Sequence, residues 1–176
     1  MASGVCTVNV SSNQLRMAVL KACRGIGLPV GQAQEVAAAI TASPVALDKL
    51  LARLAQPMSF ATFDFSLGVD IQNAYLLRDF SVCVDAVSQG VSPVILRGIV
   101  LCEVTQALAK YHGVSVAIHN GDLFVAPDQY ASLKLGRCLV DPADWQILNT
   151  YAALTYVPEN DASRLVGAGA GLTDND

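Results

Sequence analysis

The chain has 176 residues, of which 53% are hydrophobic and only 15% are charged, and its formal net charge is −4. Soluble domains typically carry about 25% charged residues, so this composition predicts either membrane insertion or apolar surface buried between subunits. Prolines and charges interrupt every stretch of about 20 residues, which argues against a membrane span. We therefore predict a soluble homo-oligomer, in its simplest form a dimer.

The charge distribution argues against a nucleic-acid partner. Lysine and arginine number 11 against 15 aspartates and glutamates, and no basic run occurs anywhere in the chain. Neutralising phosphates requires clustered cations, and binding single strands requires aromatic side chains in a basic groove. The sequence predicts neither arrangement.

Three consecutive helices are predicted between about residues 11 and 57, after a short strand within Val5–Val10. The first begins at a capping box formed by Ser11 and Gln14 and ends at Gly25 and Gly27. The second spans Val30–Ala42, and the third opens at Ser43-Pro44 and ends near Pro57. Because the connections are short, these helices are expected to pack as one layer.

The next segment, about 58–157, is predicted to contain a small, mostly antiparallel sheet. The alternation of Phe60, Phe63 and Phe65 with small residues fits a strand or a loop. Alternating apolar residues over Phe80–Val87 predict a strand, and Val94–Leu96 predicts another short one.

The last elements have clearer signals. Helical spacing covers Gly98–Tyr111. Asn120-Gly121 then separates two β-prone runs, which predicts a hairpin with a type I′ turn. A strand is predicted at Arg137–Val140, and Asp141-Pro142 opens a final helix. The sequence thus predicts a single α+β domain over residues 1–176, with a three-helix layer, a sheet with an Asn-Gly hairpin, two further helices and an irregular tail over 158–176.

Cysteine usage predicts a reduced, cytoplasmic protein. The five cysteines form no Cys-x-x-Cys pair, so no metal site is predicted, and their apolar neighbours favour a role as small buried hydrophobes. The N-terminal stretch lacks the basic start and apolar core of a signal peptide. No sequence feature identifies a cofactor.

Catalytic motifs are weak. His112 lies at a predicted helix end, where the helix dipole accounts for it, and His119 precedes the hairpin turn. A Cys-His pair formed in space stays open, because no cysteine is singled out. The Gly-x-Gly at Gly25 and Gly27 follows a helix rather than a strand, so it favours a helix stop over a phosphate loop.

The C-terminal tail is the candidate functional segment. Its alternating glycines allow backbone geometries closed to other residues, and its charged and polar side chains provide carboxylates and one guanidinium. A frayed terminus is the competing interpretation. The candidate ligand-binding residues are Glu159, Asp161, Ser163, Arg164, Asp174 and Asp176 in the tail, with Arg24 and Glu35 as possible partners elsewhere.

The segment from Tyr156 to Asp176, YVPENDASRLVGAGAGLTDND, resembles the C-terminal signature of a bacterial domain family of unknown function, found mainly in proteobacteria. The block Lys21–Gly27, followed by 31–35, is similar to that family's N-terminal part, although Val30 stands where the family has an aromatic residue. The resemblance implies that the tail is a property of these proteins. It carries over no activity.

Two functions follow as hypotheses. The first is a cytosolic non-catalytic or accessory protein that self-associates and uses an ordered tail for docking. The alternative is a small-molecule enzyme or ligand-binding protein that uses the tail carboxylates and Arg164, with Asp174 or Asp176 as a base or metal ligand.

Overall fold

A computed structural model describes residues 8–128 and 137–155, and within these ranges the chain is α+β, as predicted. The described helices are α1 (Ser12–Gly25), α2 (Val30–Ala42), α3 (Leu47–Leu54), α4 (Leu76–Ser88), α5 (Glu103–His112) and α6 (Pro142–Ala153). The described strands are β1 (Val8–Ser11), β2 (Thr62–Asp64), β3 (Val69–Gln72), β4 (Val94–Leu96), β5 (Val114–His119), β6 (Asp122–Pro127) and β7 (Arg137–Val140).

The N-terminal helical layer is confirmed. The Ser11 side chain accepts from the Gln14 backbone N–H at 3.2 Å, while the Gln14 side chain accepts from the Ser11 N–H at 2.8 Å. This reciprocal cap satisfies two donors that the first turn leaves unpaired. The predicted apolar stripe of α1 is buried throughout, and so is that of α3; the residues are Leu15, Ala18, Val19, Ala22, Cys23, Leu47, Leu50, Leu51 and Leu54.

The start of α3 differs in detail from the prediction. Pro44–Ala46 forms a single 3-10 turn before the α-helix begins, and the Ser43 side chain makes no capping hydrogen bond. The proline still occupies the first position of that turn, where its missing N–H costs nothing.

The main sheet has five strands in the order β2-β3-β4-β6-β5. Its β3–β4 pair is parallel and the other three pairs are antiparallel, so the sheet is mostly antiparallel, as expected. The β5–β6 hairpin is confirmed: Asn120 has φ 53° and Gly121 has φ 85°, as a type I′ turn requires. The strand at Arg137–Val140 is also confirmed, and it pairs with β1 in a separate two-stranded sheet.

The prediction of a strand over Phe80–Val87 is wrong, because this segment belongs to α4. Its buried residues include Leu76, Phe80, Cys83 and Val87, which recur at helical spacing, whereas Val82 and Val84 are only half-buried. The apolar residues of Phe80–Val87 fit both the two-residue period of a strand and the 3.6-residue period of a helix. The pattern of this segment alone therefore does not distinguish a strand from a helix. Three helices, rather than two, therefore follow the N-terminal layer within the described residues.

The predicted helix over Gly98–Tyr111 begins later than expected. Gly98 has φ 72° and Cys102 is extended at φ −147°, so α5 starts at Glu103. Val100, predicted to be buried, is 60% exposed because it lies before the helix. The final helix α6 is capped as predicted, with the Asp141 side chain accepting from the Ala143 N–H at 2.7 Å.

The helices stack away from one face of the main sheet. Helix α4 contacts β3, β4 and β6, while α5 contacts β5. Helix α2 packs on both, α1 packs on α2, and α6 packs on α1 and α3. Ile71, Leu96 and Leu123 face this core in register and are fully buried. The opposite face carries charged residues such as Asp70 and Asp122 together with the half-buried apolar residues Ile95 and Phe124, and among the described elements none covers it.

Candidate functional site

A charge network crosses the uncovered face of the main sheet. The Arg97 Nε donates to both Asp70 carboxylate oxygens at 2.9 and 3.0 Å, and its Nη1 donates to Asp122. The hydrogen bonds to Asp70 and Asp122 raise the pKa of Arg97, which keeps the guanidinium charged. Because the carboxylates come from β3 and β6 on either side of Arg97, the network ties three neighbouring strands together.

Shallow clefts flank Arg97. One, of about 520 Å³, is lined by polar groups that include Ser59, Gln72 and Asn73. The other, of about 250 Å³, is lined by Asp64 and Asp70, among other residues. The first opens widely to solvent and places amide and hydroxyl groups beside one guanidinium, whereas the second also has Leu67, Val69, Pro93 and Ile95 in its lining. The first cleft therefore suits a polar ligand better than an apolar one.

A second feature adjoins these clefts: an apolar edge around β2. Four side chains stand out here, with Phe60 94%, Phe63 40%, Phe65 64% and Leu67 86% exposed. The Phe63 and Phe65 rings stack with centroids 6.0 Å apart and planes 8° from parallel. We call these four residues the aromatic edge. Exposed apolar side chains concentrated in one short segment are typical of interaction sites in soluble proteins.

Hydrogen bonds fix the segment that carries the aromatic edge to helix α4 and to the Asn73 backbone. Arg78 Nη1 donates to the Ser59 carbonyl at 2.8 Å, and the Ser59 hydroxyl donates to the Asn73 carbonyl at 2.6 Å. Arg78 is itself fixed by the buried Asp79, whose carboxylate also accepts from the Tyr75 N–H at 2.7 Å. The residue next to Phe60 is therefore anchored to α4, so the exposed ring extends from a fixed point.

Two of the predicted site residues lie in the described part of the chain, and they contact different partners. Arg24 is exposed and donates to the Leu28 carbonyl at 3.1 Å. Glu35 lies 3.5 Å from His112, measured from Oε2 to Nε2. The predicted tail residues Glu159, Asp161, Ser163, Arg164, Asp174 and Asp176 lie outside the described residues.

The pair formed by Glu35 and His112 is electrostatically unusual. Burial lowers the pKa of His112, although the carboxylate of Asp85 opposes this shift. Burial, followed by repulsion from Asp85, raises the pKa of Glu35. The His112 Nε2 is buried without a hydrogen-bond partner, and the ring packs on Phe80 and Tyr111. His112 does lie in the last turn of α5, as predicted, and burial is the main cause of its pKa shift.

The described cysteines differ in their surroundings. Burial raises the pKa of Cys23 and of Cys83 to about 12 in each case, which fits small hydrophobic core residues. Cys102 is half-buried at the start of α5, with its Sγ 3.3 Å from the Thr105 Oγ1. Burial tends to raise the pKa of this thiol, but the hydrogen bonds from Thr105 and the Val104 backbone, together with the charge of Arg53, lower it overall.

Sequence reasoning did not find the Arg97 network. Asp70, Arg97 and Asp122 lie 27 and 25 residues apart, and only the sheet register brings them together. The aromatic edge does have a signal in the sequence, the alternation of Phe60, Phe63 and Phe65 with small residues, but that pattern predicts only a strand or a loop.

Within residues 8–128 and 137–155, no group of three or more metal-binding side chains is placed to hold an ion. No helix of this described part has the length and apolar continuity needed to cross a bilayer. Comparison with protein-family models, curated proteins and solved structures found no match.

Proposed function

We propose that this chain is a non-catalytic or accessory cytoplasmic protein that works as a homodimer. The observation that carries the proposal is the aromatic edge. Its four side chains expose about 500 Å² of apolar surface, given roughly 150–250 Å² for each aromatic residue. A standard interface buries about 800 Å² per partner, of which about 56–65% is apolar. The edge therefore supplies the apolar share of one such interface.

Composition around the edge supports the same proposal. Within residues 55–68 the only charged side chain is Asp64. Natural proteins protect an exposed edge strand with lysines, prolines or covering loops. An edge with a single charge and three exposed phenylalanines lacks that protection, which fits a surface that is covered in the working state.

Sedimentation equilibrium at micromolar concentration tests self-association. The wild type is expected at twice the chain mass of 18.5 kDa. The double variant Phe60→Ser with Phe65→Ser should sediment as a monomer while keeping its far-UV circular dichroism, because both rings are exposed. Val45→Ser is the matched control, since Val45 is 80% exposed but lies away from the edge, and it should remain dimeric. A monomeric wild type would refute the proposal.

A role for the C-terminal tail is part of the proposal, supported by its glycine-rich sequence and its resemblance to a bacterial family signature. We infer that the tail docks on its own subunit or on the neighbouring one. Truncation after Val166 should therefore lower the melting temperature or shift the chain towards monomer. If both properties are unchanged, the tail has no docking role.

Ligand binding is the second candidate, and the clefts beside Arg97 favour it. In that case the tail carboxylates and Arg164 would act with a polar ligand rather than in assembly. An unchanged melting temperature and mass after the Val166 truncation would favour this candidate.

A further inference from the structure

The hydrogen-bonding direction of β2 can be derived from its neighbours. The Val69 N–H donates to the Pro93 carbonyl, and the Arg97 N–H donates to the Ile71 carbonyl. Val69 and Ile71 therefore direct their peptide groups towards β4. Peptide groups alternate in direction along a strand, so those of Asp70 and Gln72 face β2.

This alternation settles which residue of β2 faces outward. Thr62 pairs with Gln72 and Asp64 pairs with Asp70, so these two residues of β2 bond to β3. Phe63, which lies between them opposite Ile71, directs its own N–H and C=O away from the sheet. Since β2 is the first strand in the sheet order, these groups point to an edge that no other described strand occupies.

Resting on the proposed self-association, we propose that two copies join by antiparallel pairing of β2 with β2 of the second copy, with Phe63 opposite its own counterpart. The two five-stranded sheets then form one continuous sheet across a two-fold axis. Such strand addition satisfies the free main-chain groups of both edges at once. It also makes a self-complementary interface, as two-fold symmetry requires.

Charge and side-chain contacts favour this register over the two neighbouring registers. With Phe63 on the axis, Thr62 faces Asp64 of the second copy, and the threonine hydroxyl can donate to that carboxylate. A shift that centres on Asp64 places two carboxylates face to face. The Ser66 N–H donates to Asp64 at 2.9 Å and lowers its pKa, so both carboxylates would be ionised and would repel each other.

The register shifted in the other direction, centred on Thr62, is also less favourable. Centring on Thr62 places Asp64 opposite Phe60 of the second copy and separates the two Phe63 rings. The chosen register instead joins the stacked Phe63 and Phe65 rings of one copy to those of the other, so aromatic contact continues across the axis.

The opposite edge of the sheet, β5, is the weaker candidate. Its largest exposed apolar side chain is Ile118, which is 38% exposed. It therefore offers far less apolar area to a second copy than the aromatic edge does.

Disulfide cross-linking tests the register. In the proposed pairing, Thr62 and Asp64 of the second copy form a non-hydrogen-bonded pair, with Cα atoms about 4.5 Å apart. A disulfide spans about 4.4–6.8 Å between Cα atoms. An equimolar mixture of Thr62→Cys and Asp64→Cys chains, co-refolded and oxidised with diamide, should therefore give a disulfide-linked dimer. Peptide mapping should locate the bond between positions 62 and 64.

The single variants and the wild type are the controls. Wild type under the same oxidant measures any cross-linking by the native cysteines. Cross-linking by Asp64→Cys alone, or by Thr62→Cys alone, would show a shifted register and overturn the inference. A dimeric mass without a cross-link at either position would place the interface elsewhere and leave self-association standing. A monomeric mass would refute both the β2 pairing and the proposed self-association.

Discussion

At the scale of single residues, the burial of His112 and Glu35 couples the fold to pH. Burial favours the neutral imidazole, so the pKa of His112 lies below its ordinary value of 6.5 in the folded chain. The unfolded chain then binds a proton that the folded chain does not. As the pH falls below about 6.5, this difference stabilises the unfolded state.

Glu35 acts in the opposite direction. Its pKa in the folded chain lies above the ordinary 4.5, so the folded state takes up a proton before the unfolded state does. This contribution is fully present below about pH 4.5 and is lost as the pH rises through the raised value. A simple acid titration of the wild type therefore mixes two effects of opposite sign.

The substitution His112→Gln separates them, because it removes the imidazole and keeps Glu35. We expect the free energy of unfolding of the wild type, relative to the variant, to fall between pH 7.5 and pH 5.5. The slope can reach about 1.4 kcal/mol per pH unit. Urea denaturation at several pH values measures it. His119→Gln is the control, because it removes the exposed histidine on β5 and keeps His112. If the free energy of unfolding has the same pH dependence in the wild type and in His112→Gln, then the buried His112 is not the source of the pH dependence.

At the scale of elements, the contact of α1 with α6 depends on one glycine. A Cβ placed on Gly25 would collide with the Tyr151 carbonyl oxygen and lie 3.0 Å from the Leu154 Cβ. The sequence predicted Gly25 as part of a helix stop, and α1 does end there. The structure adds a second reason for the glycine, the close approach of another helix.

The substitution Gly25→Ala should therefore lower the free energy of unfolding by about 1–3 kcal/mol, as overpacking does. Gly31→Ala is a matched control, because a Cβ at Gly31, in the first turn of α2, meets nothing within 4 Å. Alanine is the better helix former by up to about 1 kcal/mol, so this variant should be as stable as the wild type or more so. Urea unfolding of both variants measures the contrast. A stabilised Gly25→Ala chain would show that α1 and α6 do not approach closely.

The elements also show how far the sequence could predict this fold. The stripes of α1 and α3 were found because each lies within one helix and follows a single period. Phe80–Val87 misled the prediction because its apolar residues fit both strand and helix. Helix α4 also makes a contact beyond its own segment, because Arg78 Nη1 donates to the Ser59 carbonyl, which lies 19 residues earlier in the chain. No local pattern contains that information.

The candidate site likewise has features that the local sequence indicates and features that only the tertiary structure determines. Asp70, Arg97 and Asp122 meet only because β4 lies between β3 and β6, an order that the sequence does not specify. The aromatic edge was visible as an alternation of phenylalanines, but its exposure depends on β2 lying at the end of the sheet. Position within the sheet, rather than residue type, separates a surface of this kind from a core strand.

At the scale of the whole molecule, the high apolar content divides into two parts. Most of the large apolar side chains form one buried cluster between the sheet and the helices. The aromatic edge belongs to a smaller set that the described chain leaves in water, which also includes Val45, Val100, Leu139 and Leu154. If it is covered only in the dimer, then dimerisation contributes directly to the stability of each folded chain, and that stability must depend on protein concentration.

The melting temperature should therefore rise with concentration in the wild type. Each tenfold increase adds about 1.4 kcal/mol per dimer, or about half of that per chain. A domain of this size changes its melting temperature by roughly 2–4 °C per kcal/mol, so we expect about 2 °C per tenfold increase. Calorimetric scans over two decades of concentration measure the slope. The double variant Phe60→Ser with Phe65→Ser should melt at one temperature throughout, whereas Val45→Ser should keep the wild-type slope. Because the proposed dimer links folding to assembly by covering the aromatic edge, an equal slope in the double variant would place the interface on another surface.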